Sequence, residues 1–392
     1  MFSATEDLEE ALTLVCATAL GLDRKLHGRM RFSDCASLLT SEDGHTAYAN
    51  LAARFGVVAS DVPTRAALAQ VFADEALSMR ALRLHRGRNV YSAGKLALWN
   101  LVWKPLRAAL SPDEETLRLA RELVAFDTRP GGPGIASCVA WLQHQLCGSG
   151  FEVRPIEPSD GNPILVARRA ARGLGGRVVL YGHYDAAPTD VAAWQSPPFE
   201  LTERGGRLYG LAAGDNKIAL VVRLRELARM ERCPEILWLL QGDEETGSRA
   251  AHRVLPALVA EHDATVWVEE NGYHDDDGTQ RVLARTLGGA GEADLPPDQA
   301  LWRLIAVLGS VDRDFGVGHR VESRSLHKDF FESGCPFNRN LPEAARYLAI
   351  GVNDPSSAIH RANESVPTWT LPVHARQLHA VMRWVDETAR GA

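Results

Sequence analysis

The chain has 392 residues, 45% hydrophobic and 24% charged; at roughly 150 residues per domain this makes two or three folded units, and the composition excludes a disordered or collagenous chain. A count of 43 Lys and Arg against 50 Asp and Glu leaves a net charge of -7, so the basic footprint needed for phosphate backbones is missing and nucleic acid is not expected as a partner. Cys16, Cys35, Cys138, Cys147, Cys233 and Cys335 form no C-x-x-C pair, which points to a reducing compartment rather than a disulfide framework. The first residues, MFSATEDLEE, are acidic where an export leader is basic, and no run of about 18 apolar residues occurs; the expectation is a cytoplasmic protein without membrane contact.

In chain order, residues 7–20 place Leu8, Ala11, Leu12, Val15 and Ala19 at helical spacing behind an acidic first turn, which predicts an amphipathic helix. Further helices are expected at 44–55 and 64–75, the latter capped by Thr64. No strand pattern appears in the first eighty residues, which gives a small all-α unit over 1–80. Residues 81–110 are basic and carry Trp99 and Trp103, and they end at Pro105 and the helix-start signature SPDEE; this stretch reads as a linker, either solvated or docked on a neighbour.

From 111 to 392 the pattern changes. Helices are expected at 113–124, 138–146, 217–230 and 249–260, and strands at 151–155, 164–168, 177–181, 235–241 and 264–269. Such alternation predicts an α/β domain with a mainly parallel sheet and helices on both faces. Its chemistry then belongs at the carboxyl ends of the strands, where open α/β sheets bind ligands.

That is where the acidic and imidazole residues fall. VVLYGHYD delivers His183 and Asp185 past one strand, GLAAGDNK puts Asp215 in a turn that opens a helix, LWLLQGDEETGS ends in Glu244 and Glu245, VWVEENG ends in Glu269 and Glu270, and SAIHRANES supplies His360. Two imidazoles and at least three carboxylates exceed the needs of one zinc ion and suit two ions sharing a carboxylate. Asp185, two residues after His183, stands where it can accept the second ring N–H and fix the tautomer. Of the neighbours Glu244 and Glu245, one can coordinate while the other holds the proton of a metal-activated water.

The motifs LVAFDT, GHYDAAP, WQSPPFELTERGGRLYGLAAGDNK, DEETGS and NDPSSAIHRANE resemble, in that order, those of the dizinc aminoacylase and carboxypeptidase family, which includes carnosinases, cytosolic dipeptidases and succinyl-diaminopimelate desuccinylase. The resemblance runs from about residue 115 onward. It implies two Zn2+ per chain, with Co2+ or Mn2+ as substitutes, held by His183, Asp215 (bridging), Glu245, Glu270 and His360. It also implies Glu244 as general base, Asp185 behind His183, and a small peptide or N-acyl amino acid as substrate. Glu270 is preferred to Glu269 because it precedes Asn271 as in the dipeptidase branch.

Two departures bear on function. Family members insert a lid domain between the fourth ligand and the last histidine, but Glu270 and His360 are only 90 residues apart, and the part left after the catalytic domain's own elements is smaller than the roughly 50 residues of a small domain. The lid is expected to be absent or reduced, within about 285–340, to the helix near 297–308, and the site to be open; Arg339 is a candidate for gripping a substrate carboxylate. Residues 6–78 resemble an acyl or peptidyl carrier protein, with Ser41 at the position of the phosphopantetheine serine although TSEDG replaces the usual core. This implies a biosynthetic synthetase or a carrier-bound intermediate as partner. The competing reading is a carrier or docking protein whose peptidase-like domain is a scaffold. Asp243 is expected in a turn, Asn216 as a backbone-orienting residue, Gly182, Gly210 and Gly214 in tight turns, and His252, His262, His274, His319 and His327 at the surface.

Overall fold

The structure, a computed structural model, describes residues 112–260, 262–276, 278–286, 297–315, 317–322 and 345–391. The carrier-like unit, Ser41, the basic linker, His327 and Arg339 lie outside the described residues. A larger unit, Pro112–Asp275, Gln280–Asp312 and His319–Ala392, carries the sheet and everything below.

It opens with α1 (Glu114–Val124), which starts where Asp113 accepts the Thr116 N–H at 3.0 Å, the usual device for an orphan donor of the first turn. Leu117, Ala120, Leu123 and Val124 are its buried stripe. Next come α2 (Ile135–Gly148), β1 (Glu152–Ile156), β2 (Ile164–Arg169), β3 (Gly173–His183), β4 (Thr202–Arg204), β5 (Arg207–Tyr209), α3 (Ile218–Arg229), β6 (Cys233–Gln241), α4 (Arg249–Ala260) and β7 (Val266–Val268). Then follow β8 (Tyr273–His274), β9 (Gln280–Thr286), α5 (Gln299–Asp314), β10 (His319–Val321), β11 (Arg346–Ala349), β12 (Ser365–Pro367) and α6 (Thr370–Gly391). Among the described residues no helix is long and apolar enough to cross a membrane.

The large sheet has the order β1-β2-β6-β3-β7-β11-β9-β10, with β8 on β9. Its centre, β6-β3-β7-β11, is a parallel run and β9 and β10 pair parallel at one edge; β1, β2 and β6 pair antiparallel, as do β11 and β9. The sheet is therefore mixed, not mainly parallel. The reason lies in chain length: residues 157–163 are all that join β1 to β2, and a parallel return needs a crossover of about a dozen residues or more.

Strand residues alternate between two cores. Val178, Leu180, Ile236, Trp238 and Leu240 pack with α1, α2, α3, α5 and α6, whereas Val179, Tyr181, Leu237, Leu239, Trp267 and Tyr347 pack with α4. Helices thus cover both faces, as period-two burial of a central strand requires. In the interval read as a reduced lid, the end of β9 and all of β10 belong to the large sheet, and α5 buries Leu301, Leu304, Ile305 and Leu308 in the first core. The β4–β5 hairpin turns at Gly205 and Gly206, with φ of 60° and 72°, the left-handed pair that a tight hairpin turn demands. It joins β12 in a separate three-stranded sheet.

Candidate metal centre

Parallel β3 and β7 end on the same edge as β6, and each hands over a functional group. β3 terminates in His183, which is fully buried. Nδ1 of His183 lies 3.2 Å from Asp185 Oδ1, so a ring N–H donated there leaves Nε2 free to face the site. The other oxygen of Asp185 accepts the backbone N–H of Glu245 at 2.9 Å. One carboxylate thereby ties the end of β3 to the loop after β6.

Asp215 sits in the turn Ala213–Lys217 that opens α3. Its Oδ1 is 3.0 Å from His183 Nε2 and its Oδ2 is 3.5 Å from His360 Nε2. Asn271 donates to Oδ1 at 2.8 Å. Glu270 approaches from the end of β7, with Oε2 3.6 Å from His183 Nε2, and the Asn216 amide reaches the same oxygen at 3.3 Å. Asn216 thus also reaches the site through its side chain. Glu269, the alternative considered from sequence, faces away: it accepts the Tyr347 hydroxyl and the Glu270 N–H.

His360 comes from the loop after β11, at φ 60°, with Ala358 and Asn363 also left-handed. Side chains rarely adopt this conformation unless the surroundings enforce it. Here Arg207 forks onto Asp354 at 2.7 and 2.9 Å, and Asn363 Oδ1 accepts the Gln195 N–H at 2.9 Å. His360 Nε2 is 2.9 Å from Glu245 Oε2. The His360 side chain is 54% exposed while that of His183 is closed off, so the cluster has a buried end and an open end.

Potential ligand atoms fall into three overlapping groups: His183, Asp215 and Glu270; Asp215, Glu245 and His360; and His183, Glu244 and Glu245. The first two share Asp215 alone and present one of its oxygens to each imidazole. Asp185 is in none of them, and Ser41 is outside the described residues. Burial pushes the Glu270 carboxyl well up and that of Glu244 up to about 7. Hydrogen bonds to Asp215 and Glu245 drive His360 up to about 10. The Glu244 carboxylate accepts no hydrogen bond from the described residues, only its backbone carbonyl taking the Gly247 N–H. Four crowded carboxylates around two imidazoles are a donor set with excess negative charge, which divalent cations fit.

Sequence reading assigned no role to Glu364, four residues after His360 and inside the motif quoted for it. Its buried carboxylate accepts the N–H groups of Gly214 at 2.7 Å, Asp215 at 3.0 Å and Ala212 at 3.1 Å. Burial pushes Glu364 up to about 8, against those three donors. Asn353 bonds Asn271 Oδ1 and the Gly214 carbonyl, and a Cβ on Gly214 would lie 2.8 Å from Asn353 Oδ1, so Gly214 is required by this close approach. Asp243 is in a turn, but its side chain also reaches across to bond Asn162. His262 and His274 are buried, correcting their expected surface positions; His274 sits under the Asn353 carbonyl.

Two overlapping groups of candidate cation ligands, sharing Asp215, lie at the carboxyl ends of strands in a mixed α/β sheet. The sequence profile of peptidase family M20/M25/M40 matches residues 179–384, and the chain belongs to this family. Among curated relatives it is 34% identical over 156 residues to a succinyl-diaminopimelate desuccinylase of Azoarcus sp. (strain BH72), covering 38% of this chain and 40% of that protein. It is 28% identical over 200 residues to an acetylornithine deacetylase of Photorhabdus laumondii, covering 50% and 49%. A probable di- and tripeptidase of Saccharomyces cerevisiae matches at 27% over 198 residues, 45% of this chain and 22% of that one. The chain thus spans less than half the length of these relatives. Of solved structures, the metallo-carboxypeptidase Sso-CP2 of Sulfolobus solfataricus superposes with a TM-score of 0.57 at 13% identity, over 70% of this chain and all (100%) of that one. Human carnosine dipeptidase 1 gives 0.54 at 13%, over 74% and 99%. At this identity the likeness is one of fold.

Proposed function

We propose that the chain is a metal-dependent hydrolase of amide bonds in small peptides or N-acyl amino acids. The observation that carries this reading is Asp215, whose two oxygens face two different imidazoles, each completed by a further carboxylate. His183, Asp215 and Glu270 would hold one Zn2+, and Asp215, Glu245 and His360 the second; the relatives named above, desuccinylase, deacetylase and peptidase, support an amide substrate. Bound there, the two cations supply Lewis acidity toward a carbonyl and a water, a role that Co2+ or Mn2+ can also fill.

The protein's own part is proton handling and orientation. Glu244 takes the proton of the attacking water and passes it to the leaving nitrogen as the C–N bond breaks, giving a carboxylic acid and an amine. A carboxylate free of hydrogen bonds and pushed up to about 7 suits a group that gains and loses a proton near neutrality. Asp185 keeps the His183 tautomer. The scaffold alternative has against it a complete donor set.

Titration of metal-free protein with Zn2+ tests the binding step. His360 lies at about 10 without metal, so at pH 7 it carries a proton that coordination must displace. Protons should be released on binding, seen as buffer-dependent heats in calorimetry, and affinity should weaken as pH falls. Binding without proton release would show that His360 carries no proton before the metal arrives, and loss of one ion in His360→Ala tests it as a ligand. A panel of dipeptides and N-acyl amino acids, assayed with and without chelator, then reads the reaction.

Residues 111–392 are, in this proposal, the catalytic domain, with at most a reduced lid within 285–340 and an open site. On the resemblance, residues 1–80 would be a carrier-like docking module, joined by 81–110, that brings a synthetase or a carrier-bound intermediate to the site in the cytoplasm; because TSEDG departs from the carrier core, a phosphopantetheinyl transferase is expected to leave Ser41 unmodified. Deleting residues 1–110 should leave a metal-binding domain that cleaves small amides at near full rate but loses the carrier-bound substrate. An insoluble truncation would instead make those residues part of the catalytic core.

A further inference from the structure

Beneath the strand ends lies a buried guanidinium with no part in the proton handling above. Arg223 is in the middle of α3, yet its donors leave the helix for the sheet. Nη1 donates to the Tyr181 carbonyl at 3.2 Å, and Nη2 to the Glu269 carbonyl at 2.5 Å and that of Ile350 at 3.5 Å. Nε donates to His374 Nε2 on α6 at 3.2 Å. Tyr181 precedes His183 by two residues on β3, Glu269 immediately precedes Glu270, and Ile350 directly follows β11. These belong to three adjacent parallel strands, β3, β7 and β11.

Buried carbonyls at strand ends need donors from outside the ladder. Arginine supplies several from one rigid plane, whereas lysine offers a single point. Burial lowers Arg223 to about 10, which leaves it a cation at neutral pH beside Glu269 and Glu270. Arg169 is a natural comparison, equally buried and also bonded to carbonyls, those of Leu227 and Met230. Its guanidinium secures the far end of α3 and donates to none of the carbonyls at the ends of β3, β7 and β11.

We propose that Arg223 is the positioning residue for the His183–Asp215–Glu270 half of the site, holding the ends of β3, β7 and β11 at the spacing that lets His183 and Glu270 meet on one cation. This rests on the reading of those three residues as a metal site. His374 on α6 aims the guanidinium by accepting its Nε proton.

The test is titration of the metal-free full chain with Co2+, followed by visible absorption, alongside thermal midpoints. In Arg223→Lys the affinity for one ion should fall about 10- to 100-fold, the range for residues that orient ligands, while the other ion binds as in wild type. In a His360→Ala background, which keeps only the Glu270 half, Arg223→Lys should remove most remaining binding. Arg169→Lys should lower the midpoint and keep both ions. His374→Leu should weaken the same ion as Arg223→Lys, and His374→Gln, which retains an acceptor oxygen, should restore it. Wild-type binding of both ions by Arg223→Lys overturns the proposal, and so does loss of the same ion in Arg169→Lys at an equal midpoint. Should Arg223→Lys not fold, the His374 pair decides, equal affinities for Leu and Gln being the contrary result. A wild-type chain that binds no Co2+ refutes the metal reading itself, an outcome distinct from both.

Discussion

Glu244→Gln should lower amide hydrolysis by about 10² to 10⁴, the usual contribution of a general base, while leaving metal content at the wild-type level. The substitution keeps the size and polarity of the side chain and removes only its ability to take a proton. Glu245→Gln should do the opposite, losing metal first and activity as a consequence, because Glu245 Oε2 lies against His360 Nε2 and within reach of Asp215. The neighbours diverge because the Glu245 N–H is pinned by Asp185. Geometry also offers a group made of His183, Glu244 and Glu245, so the pair has a real alternative. Elemental analysis beside single-turnover rates decides: metal loss in Glu244→Gln with retention in Glu245→Gln would reverse the assignment.

Asp215→Ala should abolish binding of both ions, whereas His183→Ala and His360→Ala should each lose one preferentially. The asymmetry follows from one carboxylate serving two imidazoles. Its burial is offset by those same imidazoles, which hold Asp215 well below the usual carboxylate range, so removing it strands two buried or half-buried histidines as well. Equilibrium dialysis with zinc measures the stoichiometry. An Asp215→Ala chain that still binds two ions would end the shared-carboxylate model.

The positions of these groups were legible because chemistry in an α/β domain collects where strands stop, and His183 and Glu270 follow strands marked by long apolar runs. Which of Glu269 and Glu270 faces inward depends on Tyr347, 78 residues away, and no local pattern encodes that. Arg223 was hidden inside IALVVRLREL, where a helix is evident but the target of one buried guanidinium is not. β4, β5 and β12 are three residues each, too short for periodicity to register, although the Gly205–Gly206 pair announces the hairpin. The antiparallel flank is encoded in the short link 157–163, too short for a parallel crossover, although the alternation of helices with strands that surrounds it is the pattern of a parallel sheet. Glu364 stood in plain view behind His360, but an acid accepting three backbone N–H groups from a turn about 150 positions earlier is a property of the fold.

Glu364 also limits how this protein can change its substrate range. The loop that presents His360 to solvent carries, after residues 361–363, the carboxylate that fixes the backbone of Asp215. On the proposed ligand set, an insertion or deletion between 360 and 364 would shift Asp215 along with His360, so that stretch should not tolerate length variation. The segment 188–199 is anchored to the same loop through Gln195 and Asn363 but supplies no ligand. Trp194, Pro198 and Phe199 brace Leu211 and Ala212 ahead of Asp215, whereas 190–193 are exposed, so variation aimed at new substrates has its latitude in 190–193.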